Sequence, residues 1–383
     1  MVNESRDESG VRHRRPDFSR RSPVVAAKLA ERRQKGEGGS PTVPVADMIE
    51  RIGTDAEGAD MRKLNWGIIG CGDVVEKKSG PSILQAENSR IVAVMRRDAR
   101  KARAFAEAHG IRLCTDSADA LLDLPEIDVV YVATPPSAHR EYVLAAAARG
   151  RHVLVEKPMG LVTAQDDDMI AACDDAGVEL FVAYYRRFHP HVAKMRELIG
   201  QDAIGRPVLA RIDYAQPPAP DTAWGGGWRV RPEISGGGLF VDVVSHRLDA
   251  LFSVLGAPAE VTGCRGAFLP GSNVEDAVAL SLRCENGALC SVCGEFATGR
   301  SADGFMIVGT EGVIEADRLD SHAFTLRRGD EVREFAFERD PAPHLGLIRH
   351  IERVLAGEEP NASSGRDGRL TDWVLDQALG RNR

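Results

Sequence analysis

The chain has 383 residues, 43% hydrophobic and 28% charged, with a formal net charge of −8. That length accommodates two domains with full cores, and the acidic balance argues against a general nucleic-acid binder. No apolar run approaches the roughly 20 residues of a membrane helix, and seven scattered cysteines without a secretory signal point to free thiols in a reducing cytoplasm.

Residues 1–60 read as a disordered extension, rich in Arg, Ser, Gly and Pro and without hydrophobic period. Its first 35 residues hold ten Lys/Arg against five Asp/Glu. Arg20-Arg21 is followed by no apolar segment, so a twin-arginine export signal is rejected. Met61 opens the ordered sequence and is a candidate translation start.

Leu64-Asn65-Trp66-Gly67-Ile68-Ile69 reads as a strand, followed at once by Gly70-Cys71-Gly72-Asp73-Val74-Val75. A glycine-rich turn between strand and helix lets backbone approach a pyrophosphate, and the helix N-terminus offers free N–H groups. Val75 departs from the strict third-glycine fingerprint. Gly80-Pro81 predicts a kink or break in the following helix. Strand two, Ile91–Met95, ends in Arg96-Arg97 where an NAD site usually carries an acid, so two guanidiniums favour a 2′-phosphate and NADP, with NAD the alternative. Asp98 reads as the N-cap of a helix over 99–109.

Strand three, Val129–Ala133, ends in Thr134-Pro135-Pro136 and leads into a helix over 137–148 carrying His139. Strand four is Val153-Leu154-Val155, stopped by Glu156-Lys157-Pro158. Proline cannot extend a ladder, so Lys157 is held at the carboxyl end of a parallel strand, where open α/β sheets bind ligands. A helix over 163–176 and a strand over 178–183 complete a doubly wound parallel sheet. The domain is placed at 61–185.

From 186 onward the character changes. A helix to about 199 and a strand over 207–215 precede a long loop, 216–238, with Trp224, Trp228 and Arg229, read as an ordered lid or substrate wall. Asp242, His246 and Asp249 are spaced four and three apart, which places them on one helix face. Asp249 is read as a structural acid. Short alternating segments over 261–337 predict a large, mostly antiparallel sheet, closed by helices near 344–356 and 370–379. Cys290-x-x-Cys293 lies in one of these strands, where residues three apart face opposite sides, so no metal is expected there.

These motifs, in this order, resemble the glucose–fructose oxidoreductase / inositol dehydrogenase / rhizopine-catabolism family over about 62–380. The motifs that carry the resemblance are Gly-Cys-Gly-Asp-Val, Ala-Thr-Pro-Pro with His139, Glu156-Lys157-Pro158, Arg187-Phe188-His189-Pro190, and Gly-Gly-Gly followed by Asp242 and His246. The resemblance implies an NAD(P)-dependent oxidoreductase acting on sugars, cyclitols or related polyols and ketones. It implies a Rossmann domain plus a second α/β domain over 186–383 whose open sheet makes a homo-oligomer, dimer or tetramer. It puts Lys157 between nicotinamide ribose and reacting oxygen, with a cis Lys157–Pro158 bond. Asp242 and His246 fall on the site acid and catalytic histidine, and Thr134, Pro135 and His139 on the cofactor wall. Glu156 is a further candidate cofactor contact, and Tyr184, Trp228 and Arg229 are candidate substrate contacts. Val244, where glycine is common, is expected to narrow the site, and Tyr185, where asparagine is frequent, to alter a substrate or ribose contact. Two other outcomes share the scaffold: a glycosidase using nicotinamide transiently, and a non-catalytic nucleotide sensor.

Overall fold

The computed structural model describes residues 63–218 and 227–381. The extension over 1–60, Met61 and Trp224 lie outside the described residues.

Six short apolar strands form the first sheet: β1 (Leu64–Ile69), β2 (Ser89–Met95), β3 (Leu113–Thr115), β4 (Val129–Val132), β5 (His152–Val155) and β6 (Leu180–Val182). Their order is β3-β2-β1-β4-β5-β6, all parallel. This is the doubly wound arrangement in which ligands bind beyond the strand carboxyl ends, where the order reverses between β1 and β4. Every residue of β4 is buried, as both-face coverage by helices requires. Five helices make the crossovers: α1 (Gly80–Gln85), α2 (Ala99–Ala108), α3 (Ala118–Leu122), α4 (His139–Ala147) and α5 (Thr163–Ala176). Asp98 caps α2, accepting from the N–H groups of Arg100 and Lys101, as its sequence position predicts. Strand β3 and helix α3 escape the sequence reading because their apolar runs are too short to carry a period.

Of the kink or break expected at Gly80-Pro81, the break does not occur, and the irregularity takes the form of a π-turn that ends at Ser79. The chain runs through a π-turn, Val75–Ser79, directly into α1. The wider turn accommodates a proline without an N–H, and a Cβ at Gly80 would lie 2.5 Å from the Val75 carbonyl oxygen.

A 3₁₀ turn, Tyr185–Phe188, leads into α6 (Pro190–Gly200) and the second sheet. Its strands are β7 (Pro207–Ala215), β8 (Pro258–Gly266), β9 (Ala277–Cys284), β10 (Leu289–Glu295), β11 (Ala302–Gly309), β12 (Val313–Ala316), β13 (Ala323–Arg328) and β14 (Glu331–Ala336). The order is β14-β13-β12-β11-β7-β10-β9-β8, antiparallel except where β7 meets β10. Between β7 and β8 lie the short α7 (Pro232–Ser235) and, after a π-turn at Phe240–Val244, α8 (Ser245–Leu255). One face of the sheet, with Ile212, Leu280, Val292, Phe305 and Ile314, shares a core with Leu248, Leu251 and Phe252 of α8. Strand alternation keeps Cys290 buried and leaves Cys293 half-exposed, and all seven cysteines are free.

The chain closes with α9 (Leu345–Leu355) and α10 (Gly365–Leu379), the latter opened by a Ser364/Asp367 capping box. Helix α9 does not stay with the second sheet. Leu345, Leu347, Ile348 and Ile351 lie in the same core as Trp66, Val94 and Tyr131 of the first sheet. Glu352 accepts from the Ser89 hydroxyl at 2.7 Å and the Asn88 N–H at 3.0 Å. The two sheets part between β6 and β7, while the first core draws on both sides of that junction.

Arg187 joins the parts. Its guanidinium meets both carboxylate oxygens of Asp249 on α8 and the Ala362 carbonyl, with Asp249 fully buried. Asp249 is thus the structural acid expected from the sequence. Removing one partner of such a pair strands a buried charge. Arg187→Ala is expected to destabilise the fold by about 3–5 kcal/mol, read as a lower midpoint in urea unfolding.

Candidate active site

The glycine turn lies at the carboxyl end of β1. Gly70 has φ +97°, closed to most side chains, and a Cβ there would lie 2.8 Å from the Ala133 carbonyl oxygen. Around Gly72 the space is open, the nearest atom to an added Cβ being 3.9 Å away. The cleft that begins here has a volume of about 800 Å³. Gly70, Gly72, Asp73 and Val74 line one end, with Arg96, Arg97 and Lys101 beside them. Arg96 Nη1 donates to the Cys71 carbonyl at 3.1 Å, tying the end of β2 to the glycine turn. Thr134 and Pro135 form the wall after β4, and Thr134 Oγ1 is buried without a hydrogen-bond partner among the described residues. An open glycine cradle, a rank of cations and an unpartnered wall hydroxyl suit the phosphates and ribose of a dinucleotide.

Glu156 and Lys157 follow β5 into the cleft. Glu156 is buried and accepts from the Tyr131 hydroxyl at 2.5 Å, and its burial raises its pKa above the ordinary value. Lys157 Nζ reaches the second half of the chain. It donates to Asp242 Oδ1 and to the Asp242 carbonyl, each at 2.6 Å. The Lys157–Pro158 bond is cis. Asp242 comes from the π-turn before α8, and its other oxygen meets Arg229 at 3.3 Å. Burial pushes the Asp242 carboxyl up, but Lys157, then Arg229 and Lys78, outweigh it and bring it to about 2.

His246 lies one turn on, buried, its Nδ1 without a partner among the described residues. Burial first, then the positive charges of Arg186, Lys157, Lys78 and Arg247, hold its pKa well below the usual value of 6.5. Tyr185 packs on it at 4.9 Å between ring centroids. Trp228 and Arg229, in a 3₁₀ turn after the undescribed loop residues, line the same wall, with the Arg229 guanidinium 4.6 Å over the Trp228 ring.

Three expected positions differ. His139 is fully buried and does not line the cleft. Its Nε2 lies 2.8 Å from the Thr134 carbonyl, and its Nδ1 lies 3.1 Å from those of Pro158 and Met159, so it braces two strand ends against each other. Tyr184 also faces away from the cleft, its hydroxyl donating to Asp372 at 3.2 Å. The 3₁₀ turn that starts at Tyr185 brings Tyr185 to the cleft instead. Val244 points into the second core rather than the site, beside the position a Gly294 Cβ would take. Sequence reasoning missed Lys78 and His344 in the lining. His344 stacks on Tyr185 at 4.3 Å. Nothing local marks it, because its partner lies far away in sequence.

Residues 64–184 match the GFO_IDH_MocA family, described as an oxidoreductase family with an NAD-binding Rossmann fold, and residues 192–315 match the GFO/IDH/MocA C-terminal domain. Oxidoreductase P35 of Formosa agariphila is 31% identical over 320 residues, covering 83% of this chain and 99% of the relative. The 1,5-anhydro-D-fructose reductase of Ensifer adhaerens is 33% identical over 310 residues, covering 79% of this chain and 91% of the relative. Among solved structures, an aldose-aldose oxidoreductase from Caulobacter crescentus, complexed with glycerol, superposes with a TM-score of 0.75 at 27% identity, covering 84% of this chain and 97% of that one.

Beneath the site, Asp372 accepts from the Met159 N–H at 2.8 Å and the Gly160 N–H at 3.4 Å, fixing the turn that follows Lys157. Asp166 adjoins Asp372 and has no donor of its own. Two adjacent buried carboxyls cannot both ionise cheaply, and one shared proton satisfies both. Burial, and for Asp166 next the neighbouring Asp372, raise both pKa values. A raised folded-state pKa gives stability that is full below the unfolded value of about 3.9 and lost as pH climbs through the folded value. Asp166→Asn supplies a permanent N–H. It is expected to leave Tm at pH 4 nearly unchanged and to raise it at pH 8, flattening the calorimetric pH profile.

Proposed function

The chain belongs to the GFO/IDH/MocA oxidoreductase family, and we propose that it transfers hydride between a nicotinamide cofactor and a hydroxyl- or carbonyl-bearing carbon of a sugar, cyclitol or related polyol. One observation carries this reading: the Lys157–Asp242 pair and His246 meet at the end of a cleft whose other end is the Gly70–Val74 turn. Bound nicotinamide supplies or accepts the hydride. The protein must manage the proton on the substrate oxygen and the charge that develops there.

His246 is assigned as the general base in oxidation. Its environment keeps the imidazole neutral, so a lone pair is available to a substrate hydroxyl. Lys157 is assigned to hydrogen-bond the same oxygen and stabilise alkoxide charge. Asp242 holds that ammonium in place through its carboxylate and carbonyl, and Arg229 and Trp228 supply a polar-aromatic wall that fits a polyhydroxylated ligand. His246→Ala is expected to lower kcat for oxidation by about 10²–10⁴-fold with cofactor affinity unchanged. Because a base must be unprotonated to act, the acidic limb of the wild-type kcat/KM profile should fall well below pH 6.5. Full turnover in both His246→Ala and Lys157→Ala on a confirmed substrate would remove this assignment.

NADP is the proposed cofactor, with NAD the alternative. Arg96, Arg97 and Lys101 line the end of β2, and the nearest acid, Asp98, is occupied as a helix cap. Fluorescence titration should show NADPH binding at least about tenfold tighter than NADH, with Arg97→Ala narrowing the gap, because a lost guanidinium–phosphate contact is worth about a decade or more. Tighter NADH binding would overturn the choice.

A homo-oligomer, dimer or tetramer, through the second sheet is proposed from its outer face. There Leu289, Leu209, Val308 and Val313 pair side by side across four strands, turned away from the helices. No helix among the described residues is long and apolar enough to cross a membrane, and the cytoplasm is the proposed location.

A further inference from the structure

Behind the Tyr185 wall lie three histidines that the proposed reaction does not use. His189 caps α6, and His191 sits two residues further in its first turn. His322 ends a 3₁₀ turn, Leu319–Ser321, just before β13, in a left-handed conformation, φ +62°. All three are buried, at 6%, 0% and 8% exposure. One ring nitrogen from each lies within 4.8 Å of the others. His189 Nδ1, both nitrogens of His191 and His322 Nδ1 have no hydrogen-bond partner among the described residues. The Leu319 backbone interacts with the His191 ring, but at a geometry short of a full hydrogen bond.

A buried imidazole normally satisfies its nitrogens. Three that leave them open toward one another are more than a stacked apolar cluster requires, although the rings do stack, His189 on His322 at 4.8 Å between centroids. We propose that His189, His191 and His322 form a binding site for one divalent transition-metal ion of the zinc class. Three neutral imidazoles with an open fourth position are a known donor set for such an ion. A tetrahedral ion with bonds of about 2.0–2.1 Å needs its nitrogens about 3.3 Å apart, a modest contraction of the trio. The local charge permits it. Arg186 and Arg339 face the cluster, and Asp320, paired with Arg186 and Arg247, offsets them.

The ion would tie the turn after β6 to the β12–β13 connection of the second sheet. Tyr185 lies 5.5 Å from His189 and 4.9 Å from His246, so the site is one ring removed from the substrate cleft. Its role is to hold that wall in place rather than to meet substrate. The proposal stands apart from the assigned reaction and is tested without turnover.

Zinc chloride alone is the probe. The full chain is stripped with chelator and titrated calorimetrically, and a cobalt-loaded sample is read in the visible. The expected result is one ion per chain at micromolar or tighter Kd, a zinc-dependent rise in Tm, and the d–d bands of four-coordinate cobalt. His191→Gln and His322→Gln should each weaken binding at least about 100-fold, since each removes one of the three ligands. Both variants should keep far-UV circular dichroism and NADPH binding. His109→Gln, outside the trio, should bind as wild type does. Failure of the wild-type chain to take up zinc, or uptake unaffected in both trio variants, would overturn the proposal. The latter would assign the ion to cysteines or other residues.

Discussion

An ammonium group at the end of a buried strand is the constraint on which this molecule turns. Lys157 is only 10% exposed, and a charge so placed is costly to bury without a counter-charge. The counter-charge comes from Asp242, far along the chain and on another sheet's helix. A pair at 2.6 Å must be assembled by everything that holds its two backbones. On one side stand the parallel sheet, the His139 brace and the Asp372 carboxylate beneath Met159. On the other stand the π-turn at Phe240–Val244 and the Arg187–Asp249 pair that seats α8. The site is therefore a product of the junction between the sheets.

Two of the helices beside the cleft follow π-turns, Val75–Ser79 and Phe240–Val244. Each wider turn trades regular hydrogen bonding for a change in the direction of the side chains that follow. The first carries the chain past Pro81 close to the glycine loop. The second sets Asp242 toward Lys157 while Val244 goes to the core. An ordinary helix would tie the directions of these side chains together.

Much of this was legible in the residues. The glycine turn, Asp98 as a cap, the strand stopped by Pro158, the helix over 163–176 and strand β7 follow from local chemistry and period. Gly70, Lys157, Asp242 and His246 could be named because each sits at a marked place: a turn, a strand end, a helix face. What was not legible depends on partners distant in sequence. Nothing in Thr-Pro-Pro-Ser-Ala-His says that His139 will meet the carbonyls of Pro158 and Met159. The choice between Tyr184 and Tyr185 depends on the turn after β6, which gives Tyr184 to Asp372 and Tyr185 to the cleft. His344 enters the site because α9 packs across the first sheet, a fact of tertiary structure alone.

That packing has a consequence for how the protein is made. The ribosome releases the six strands of the first sheet early, yet the helix that covers Trp66 and Tyr131, and the glutamate that holds the start of β2, emerge only near the end of translation. Until then that face of the nascent parallel sheet has only the cover that α1 and α2 supply through Ile83 and Phe105, and the share belonging to α9 stays open to solvent. A messenger truncated after β14 would encode every strand and nearly every cleft residue, yet its product would lack the cover of its oldest part.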